Sequence, residues 1–197
     1  ARRMPGLSIV RTRGDARKAK KKIFYDRILE ATRFFIFPTK FMRDEFLVAF
    51  DYPIRRAKVI YPALEEPAAW AKAQDSFKVV MVGRLDPVKG HKDFLQAVAL
   101  LGDRFPGASF EIIGAQKNTP ARDLRALMRR LGIERRIKLS GYLSDDQLHQ
   151  TMSAASIGVI ASRGSEVISR VCLEWMSLAK PVVATKVGMI PELIING

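Results

Sequence analysis

The sequence predicts an α/β fold: a doubly wound parallel sheet, preceded by part of a second sheet of the same kind. Three observations carry this. Short apolar runs alternate with amphipathic stretches along nearly the whole chain. The runs are continuously apolar rather than alternating, as in strands buried on both faces. Several of them end at a glycine that hands over to a helix or turn.

The elements follow in order from residue 77. Lys78-Val-Val-Met-Val82 reads as a buried strand, and His91 to Leu101 places Phe94, Leu95, Val98 and Leu101 at helical spacing. Ser109 to Ile113 is a strand that stops at Gly114. Thr119 and Pro120 form an N-cap and first-turn pair for a helix reaching Leu131, with Gly132 as its stop. Arg136 to Ser140 is a strand ended by Gly141, and Ser144-Asp-Asp-Gln147 is a capping box for the next helix. Ile157 to Ile160 is a strand followed by the turn Ser162-Arg-Gly-Ser165. A helix carrying Glu174 runs to about Ala179, Pro181 to Thr185 is a strand, and Pro191 opens a last helix.

Residues 1–61 repeat the pattern in shorter form. Leu7–Val10, Arg33–Phe37 and Ala57–Tyr61 read as strands, and Ile23–Ala31 and Thr39–Phe50 as helices. So few elements cannot cover two sheet faces, so this is expected to be the C-terminal part of a further α/β domain. Residues 62–76, with two prolines, read as a linker, and 77–197 as a ligand-binding domain. The chain starts on Ala rather than Met and stops as a helix closes, so the 197 residues are expected to be a piece of a longer protein.

The formal net charge is +14. Residues 1–60 hold 16 Lys/Arg against 6 Asp/Glu, so the excess is mainly N-terminal, in Arg11, Arg13, Arg17, Lys18, Lys20, Lys21 and Lys22. Residues 11–22 can meet an anionic membrane surface or a phosphorylated ligand by charge alone, or simply form a solvated face. A single cysteine, Cys172, excludes an internal disulfide and reads as a small buried residue. No apolar run approaches the length of a membrane span. His91 and His149 have no partners at metal spacing and read as surface residues of helices. There is no Gly-x-x-x-x-Gly-Lys-Ser/Thr loop and no Gly-x-Gly-x-x-Gly, which argues against P-loop NTPases and nicotinamide-cofactor domains.

Ligands of such sheets bind beyond the carboxyl ends of the strands. Four features fall there. Gly83-Arg84-Leu-Asp-Pro-Val-Lys89-Gly90 follows a strand, and its two cations suit phosphate oxygens or, alternatively, a basic surface loop. Gly114 is a strand-end glycine. Ser140-Gly-Tyr142-Leu143 is either an ordinary turn or a cradle for a nucleobase. Glu166 and Glu174, taken singly, read as solvated helix residues. Together they flank a helix start, and eight residues of mostly helical chain span roughly 10–12 Å. That is the reach from the sugar to the ribose of a nucleotide-sugar, with free N–H groups between for a pyrophosphate.

These motifs resemble a known family. Val82-Gly-Arg-Leu-Asp-Pro-Val-Lys-Gly90, Phe110 to Gly114, Ile137 to Tyr142, Glu166-x7-Glu174 and Lys180 to Gly188 with Ile190-Pro-Glu192 resemble the donor domain of a GT-B glycosyltransferase of the family-4, or group 1, kind. Arg11-Thr-Arg-Gly-Asp15, Phe37-Pro-Thr39 and Val59-Ile-Tyr-Pro62 resemble, more weakly, the tail of its acceptor domain. The resemblance implies two Rossmann-like domains and retaining transfer of a sugar from a nucleoside diphosphate sugar, without cofactor or metal. It implies that Arg84 and Lys89 neutralise the diphosphate, that Glu166 holds sugar hydroxyls and Glu174 the ribose. Gly83 and Gly114 would line the donor. Backbone N–H groups of Ile168, Ser169, Arg170 and Val171 would face sugar and phosphates, and Tyr142 and Leu143 would flank the base. The family usually has small residues after its first glutamate; here the stretch is Val167-Ile-Ser-Arg170.

The expectation is therefore a cytoplasmic glycosyltransferase, peripheral on the inner face of the membrane. It would act on a glycan or glycolipid acceptor such as lipopolysaccharide, with no nucleic acid as partner, and this piece alone would be inactive. The alternatives are a sugar-nucleotide epimerase of the same fold, or a non-enzymatic basic module binding phosphate or nucleic acid.

Overall fold

A computed structural model describes residues 7–14, 25–64, 77–101, 104–164 and 166–195. The lysines at 18 and 20–22, Arg17, Ser165 and most of the expected linker lie outside the described residues.

The first unit is a parallel sheet of three strands in the order β1-β2-β3. These are Ile9–Thr12, Thr32–Phe37 and Ala57–Val59, joined through α1 (Tyr25–Ala31) and α2 (Lys40–Ala49). Strand β1 begins two residues later than the apolar run Leu7–Val10 suggests. Its pairing with β2 fixes it: Val10 lies beside Phe34 and Thr12 beside Ile36. The core of this unit is aromatic. Phe35, Phe37, Phe46, Phe50 and Tyr52 are all buried and in mutual ring contact, with Phe35 and Tyr52 edge to face at 5.1 Å. All four residues of β1 are exposed, as expected of a sheet edge that α1 and α2 do not cover.

The second unit is a five-stranded parallel sheet in the order β6-β5-β4-β7-β8. Its strands are β4 (Lys78–Val82), β5 (Ser109–Ile113), β6 (Ile137–Gly141), β7 (Ile157–Ile160) and β8 (Val182–Ala184). The helices are α3 (His91–Leu101), α4 (Ala121–Arg130), α5 (Asp145–Ser153), α6 (Arg170–Ser177) and α7 (Ile190–Leu193). Alternate residues of each strand feed two cores. Val79, Met81, Phe110 and Ile112 pack with α3 and α4 on one face. Val80, Ile113 and Ile160 pack with α5, α6 and α7 on the other, around Trp175. This is the doubly wound arrangement the sequence predicts, and it buries both faces of the central strands.

Local chemistry explains several boundaries. Ser144 and Gln147 form the expected reciprocal capping box at α5. Thr119 does not cap α4: the N-cap is Pro120, and the Thr119 N–H instead donates to Leu85 O at 2.9 Å, bracing the loop after β4. Gly158 lets α6 lie directly on β7, since a Cβ there would sit 2.4 Å from the Trp175 ring. Glu111 is a buried carboxylate in the interior strand β5. It is held by Lys78 Nζ at 2.6 Å, Lys138 Nζ at 3.5 Å and the Ser140 hydroxyl, and these bonds leave its pKa below the usual range despite the burial that opposes them.

The strand order reverses direction between β4 and β7. At such a switch point the loops leaving the two strands diverge to opposite faces and leave a crevice at their carboxyl ends. The loops that meet there are 83–90 and 161–169.

Candidate functional site

The loop after β4 is tightly specified. Gly83 N donates to Ile113 O at 2.8 Å, and Gly114 N to Gly141 O at 2.7 Å, so the glycine ends of β4, β5 and β6 stand side by side. A Cβ on Gly114 would lie 2.0 Å from Gly83 O. The Asp86 carboxylate accepts from Val88 N at 3.2 Å and from Asn118 Nδ2 at 2.7 Å, which starts the 3₁₀ turn Pro87–Lys89. The bond from Val88, helped by Asn118, holds its pKa low. Gly90 closes the turn at φ +73°, and a Cβ there would lie 1.9 Å from Ala161 O. Glycine is needed at 90 both for that dihedral and for contact with the loop after β7.

His91 lies beneath this loop rather than on the surface, which corrects the expectation. It is 2% exposed, and its Nε2 is 3.2 Å from Gly83 O. Burial pushes its pKa down, so the imidazole is neutral and Nε2–H is the donor to the carbonyl. The sequence gives no sign of this, because the ring's position depends on the whole turn folding over it.

Across the crevice, Glu166 is almost wholly buried. Its Oε1 receives the Lys89 ammonium and the Ser162 hydroxyl, the latter at 2.6 Å. The two residues thus meet from opposite sides of the switch point. Ser162 was not singled out from the sequence; a hydroxyl four residues before Glu166 is too common a signal. The Glu166 main chain is pinned as well. Its carbonyl accepts from Met189 N at 2.8 Å, and a Cβ on Gly188 would lie 2.1 Å from that oxygen. Gly188 has φ +57°, so this close approach requires glycine.

Helix α6 starts at Arg170 with Ser169 as N-cap, so a helix N-terminus does lie between the two glutamates. The Ser169 side chain makes no capping bond, and its N–H donates to Met189 Sδ at 3.0 Å. Ile168 and Arg170 are exposed and Val171 is half-buried. Glu174, one turn into α6, is half-buried. Burial raises its pKa, and Arg170, with Nη2 at 3.7 Å, opposes the rise. Of the other expected residues, Arg84 is exposed beside the loop glycines, Tyr142 is 76% exposed, and Leu143 packs against the core that holds Trp175. Arg163 forms a two-bond ion pair with Asp93, at 2.7 and 2.5 Å, tying the loop after β7 to the first turn of α3.

The crevice therefore combines a buried carboxylate, a mobile-stemmed cation neutralising it, a helix N-terminus, and a second carboxylate kept partly dry. It can bind an extended ligand that carries hydroxyls at both ends and negative charge in the middle. Among the described residues, no three His, Cys, Asp or Glu side chains cluster as a metal site, and no helix is long and apolar enough to cross a membrane.

Two parallel α/β units, with these residues at the switch point of the second, define a GT-B architecture. Residues 63–197 match the sequence model of the glycosyl transferases group 1, and the chain belongs to that family. It is 31% identical over 123 residues to D-inositol 3-phosphate glycosyltransferase of Corynebacterium glutamicum, covering 60% of this chain but 29% of that relative. Among solved structures, Anabaena HepE in complex with UDP and glucose superposes with a TM-score of 0.73 at 24% identity, covering 96% of this chain and 56% of HepE. The lipopolysaccharide outer core galactosyltransferase WaaB superposes with a TM-score of 0.71 at 19% identity, covering 85% of this chain and 47% of WaaB.

Proposed function

We propose that this chain carries the donor site of a retaining glycosyltransferase. That enzyme moves a hexose from a nucleoside diphosphate sugar to an envelope glycan such as lipopolysaccharide. The observation that carries the reading is the meeting of Lys89 and Glu166 across the switch-point crevice, with the α6 N-terminus and Glu174 alongside. On this reading Glu174 accepts hydrogen bonds from the ribose, and the diphosphate lies over the start of α6. Lys89 leaves Glu166 for the diphosphate, and Arg84 joins it. Glu166, released from its cation, then accepts from sugar hydroxyls. As the bond from the anomeric carbon to the diphosphate oxygen breaks and one to the acceptor oxygen forms, the acceptor hydroxyl's proton passes to the departing diphosphate, and the two cations stabilise the charge left on it. They take the part a metal ion would otherwise play, so no metal or cofactor is assigned.

The names of relatives support the acceptor class: one glycosylates an inositol phosphate and another acts on lipopolysaccharide outer core. Arg11 and Arg13, at the carboxyl end of β1, suit an acceptor carrying phosphates, or an anionic membrane face that would hold the enzyme peripherally on the cytoplasmic side. Turnover is assigned to the whole enzyme, because this chain spans about 29% of the length of that relative.

Calorimetry of the chain against UDP-, GDP- and ADP-sugars tests the reading. One donor should bind, and Glu174→Ala and Arg84→Ala should each weaken it about tenfold or more. Undiminished affinity in both variants would sink the assignment. Salt-dependent binding to DNA without nucleotide-sugar affinity would favour the basic-module alternative.

A further inference from the structure

Glu192 belongs to the second unit but completes a helix of the first. Its Oε2 accepts from Lys40 N at 2.8 Å and its Oε1 from Phe41 N at 2.7 Å. Oε2 also accepts from the Tyr61 hydroxyl at 2.7 Å. The next N–H of α2, that of Met42, is taken by the Thr39 hydroxyl at 3.0 Å. The first turn of α2 is thus satisfied jointly by its own cap and by a carboxylate 152 residues away. The negative charge also lies at the positive end of the helix dipole.

The other end of the connection lies in the crevice. Glu192 sits in α7, directly after Met189. Met189 binds both ends of the segment 166–169, its N–H to Glu166 O at 2.8 Å and its Sδ to Ser169 N at 3.0 Å. Within that segment, Val167 packs against the aromatic cluster of the first unit, which contains Phe46 of α2. The contacts run from α2 through Glu192, α7, Met189 and segment 166–169 to Val167, which packs on the cluster that includes Phe46 of α2.

We infer that Glu192 is a positioning residue for the sugar end of the donor site. By docking α2 on α7 it seats Val167 in the aromatic cluster, and this fixes the segment from which Glu166 faces the crevice. The inference rests on the donor reading above and deepens it: the first unit sets the sugar end of the site, while the ribose end at Glu174 is internal to the second. It also gives a use to Val167, a β-branched residue where the family resemblance leads one to expect a small one.

Two measurements on the full 197-residue chain test this. The first is calorimetry with UDP and with UDP-glucose for wild type, Glu192→Ala, Tyr61→Phe and Val167→Gly. The preference for UDP-glucose over UDP should fall about tenfold in Glu192→Ala and Val167→Gly, the scale of a lost helix cap. In Tyr61→Phe, which removes one hydroxyl from an otherwise intact fold, the preference should fall about two- to threefold. UDP affinity itself should stay within about twofold, since the ribose end does not depend on these contacts. Equal weakening of both ligands, or an unchanged preference, would overturn the inference, because a purely structural role predicts one of those two results. The second is hydrogen exchange of the peptide covering residues 166–173 without ligand. It should quicken in Glu192→Ala and in Tyr61→Phe; unchanged exchange in both overturns the coupling. A wild-type chain that binds neither these probes nor the matching GDP and ADP pairs would sink the donor reading, and the exchange arm would still decide whether Glu192 governs the segment.

Discussion

The Lys89 ammonium and the Glu166 carboxylate form one buried ion pair across the switch point of the second sheet. The pair neutralises both charges, and a ligand that draws Lys89 onto a phosphate breaks it. A ligand that offers Glu166 hydroxyls and Lys89 a phosphate gives each a new hydrogen-bonding partner and gives Lys89 a new counter-charge. A neutral ligand does not, and would leave one charge dry and unpaired.

That asymmetry sets the first prediction. Lys89→Met leaves Glu166 buried with Ser162 as its side-chain partner among the described residues. The folded state should lose about 2–4 kcal/mol. For a chain of this length that is a fall in melting temperature of roughly 5–15 °C. The double variant Lys89→Met/Glu166→Gln should recover most of it, as read by thermal unfolding.

Glu174 should show the opposite relation between stability and binding. Burial raises its pKa, so the folded state holds its proton more tightly than the unfolded state does. The stabilising contribution is present at low pH and is lost as pH rises through the raised value. Glu174→Gln is therefore expected to leave the free protein as stable or slightly more stable at pH 7, while weakening nucleotide-sugar affinity about tenfold. Paired melting and calorimetry measurements check both halves.

His91 gives the acid side. Its pKa is lowered by burial, so the unfolded chain binds a proton that the folded one refuses. Stability should be constant above about pH 6.5 and decline below it, as pH falls toward the lowered value. His91→Gln, which keeps a donor for Gly83 O, should flatten that decline in urea melts between pH 7 and 5.

Cys172 is fully buried in α6, and burial pushes its thiol up to about 11. At pH 8 it should resist a thiol-specific disulfide reagent in the native protein and react promptly in denaturant. Rapid native reaction would contradict its placement beside the Trp175 core.

What was legible in the sequence was local. Glu166, Glu174, Arg84 and Lys89 follow from motif spacing, and the strand ends Gly83, Gly114 and Gly141 from apolar runs that stop at glycine. The capping box at Ser144 was readable because its bonds join residues three apart. Residues whose roles are tertiary were not. Thr119 offers good capping chemistry, yet its N–H is drawn into the loop at Leu85. His91 reads as a surface residue until the Gly83–Gly90 turn covers it. Glu192 and Val167 act on elements more than a hundred residues away in the chain, which no periodicity encodes. Strand β1 moved by two residues because pairing with β2, not hydrophobicity, set its register.

The central claim is that the crevice at Lys89, Glu166 and Glu174 is a nucleotide-sugar site. The most direct measurement is a backbone NMR titration of the labelled chain with a nucleoside diphosphate sugar. Saturable shifts are expected at Gly83, Arg84, Ile168 to Val171 and Glu174, with Arg11 and Arg13 unmoved. Shifts confined to the basic edge around Arg11 and Arg13, with the crevice silent, would contradict it.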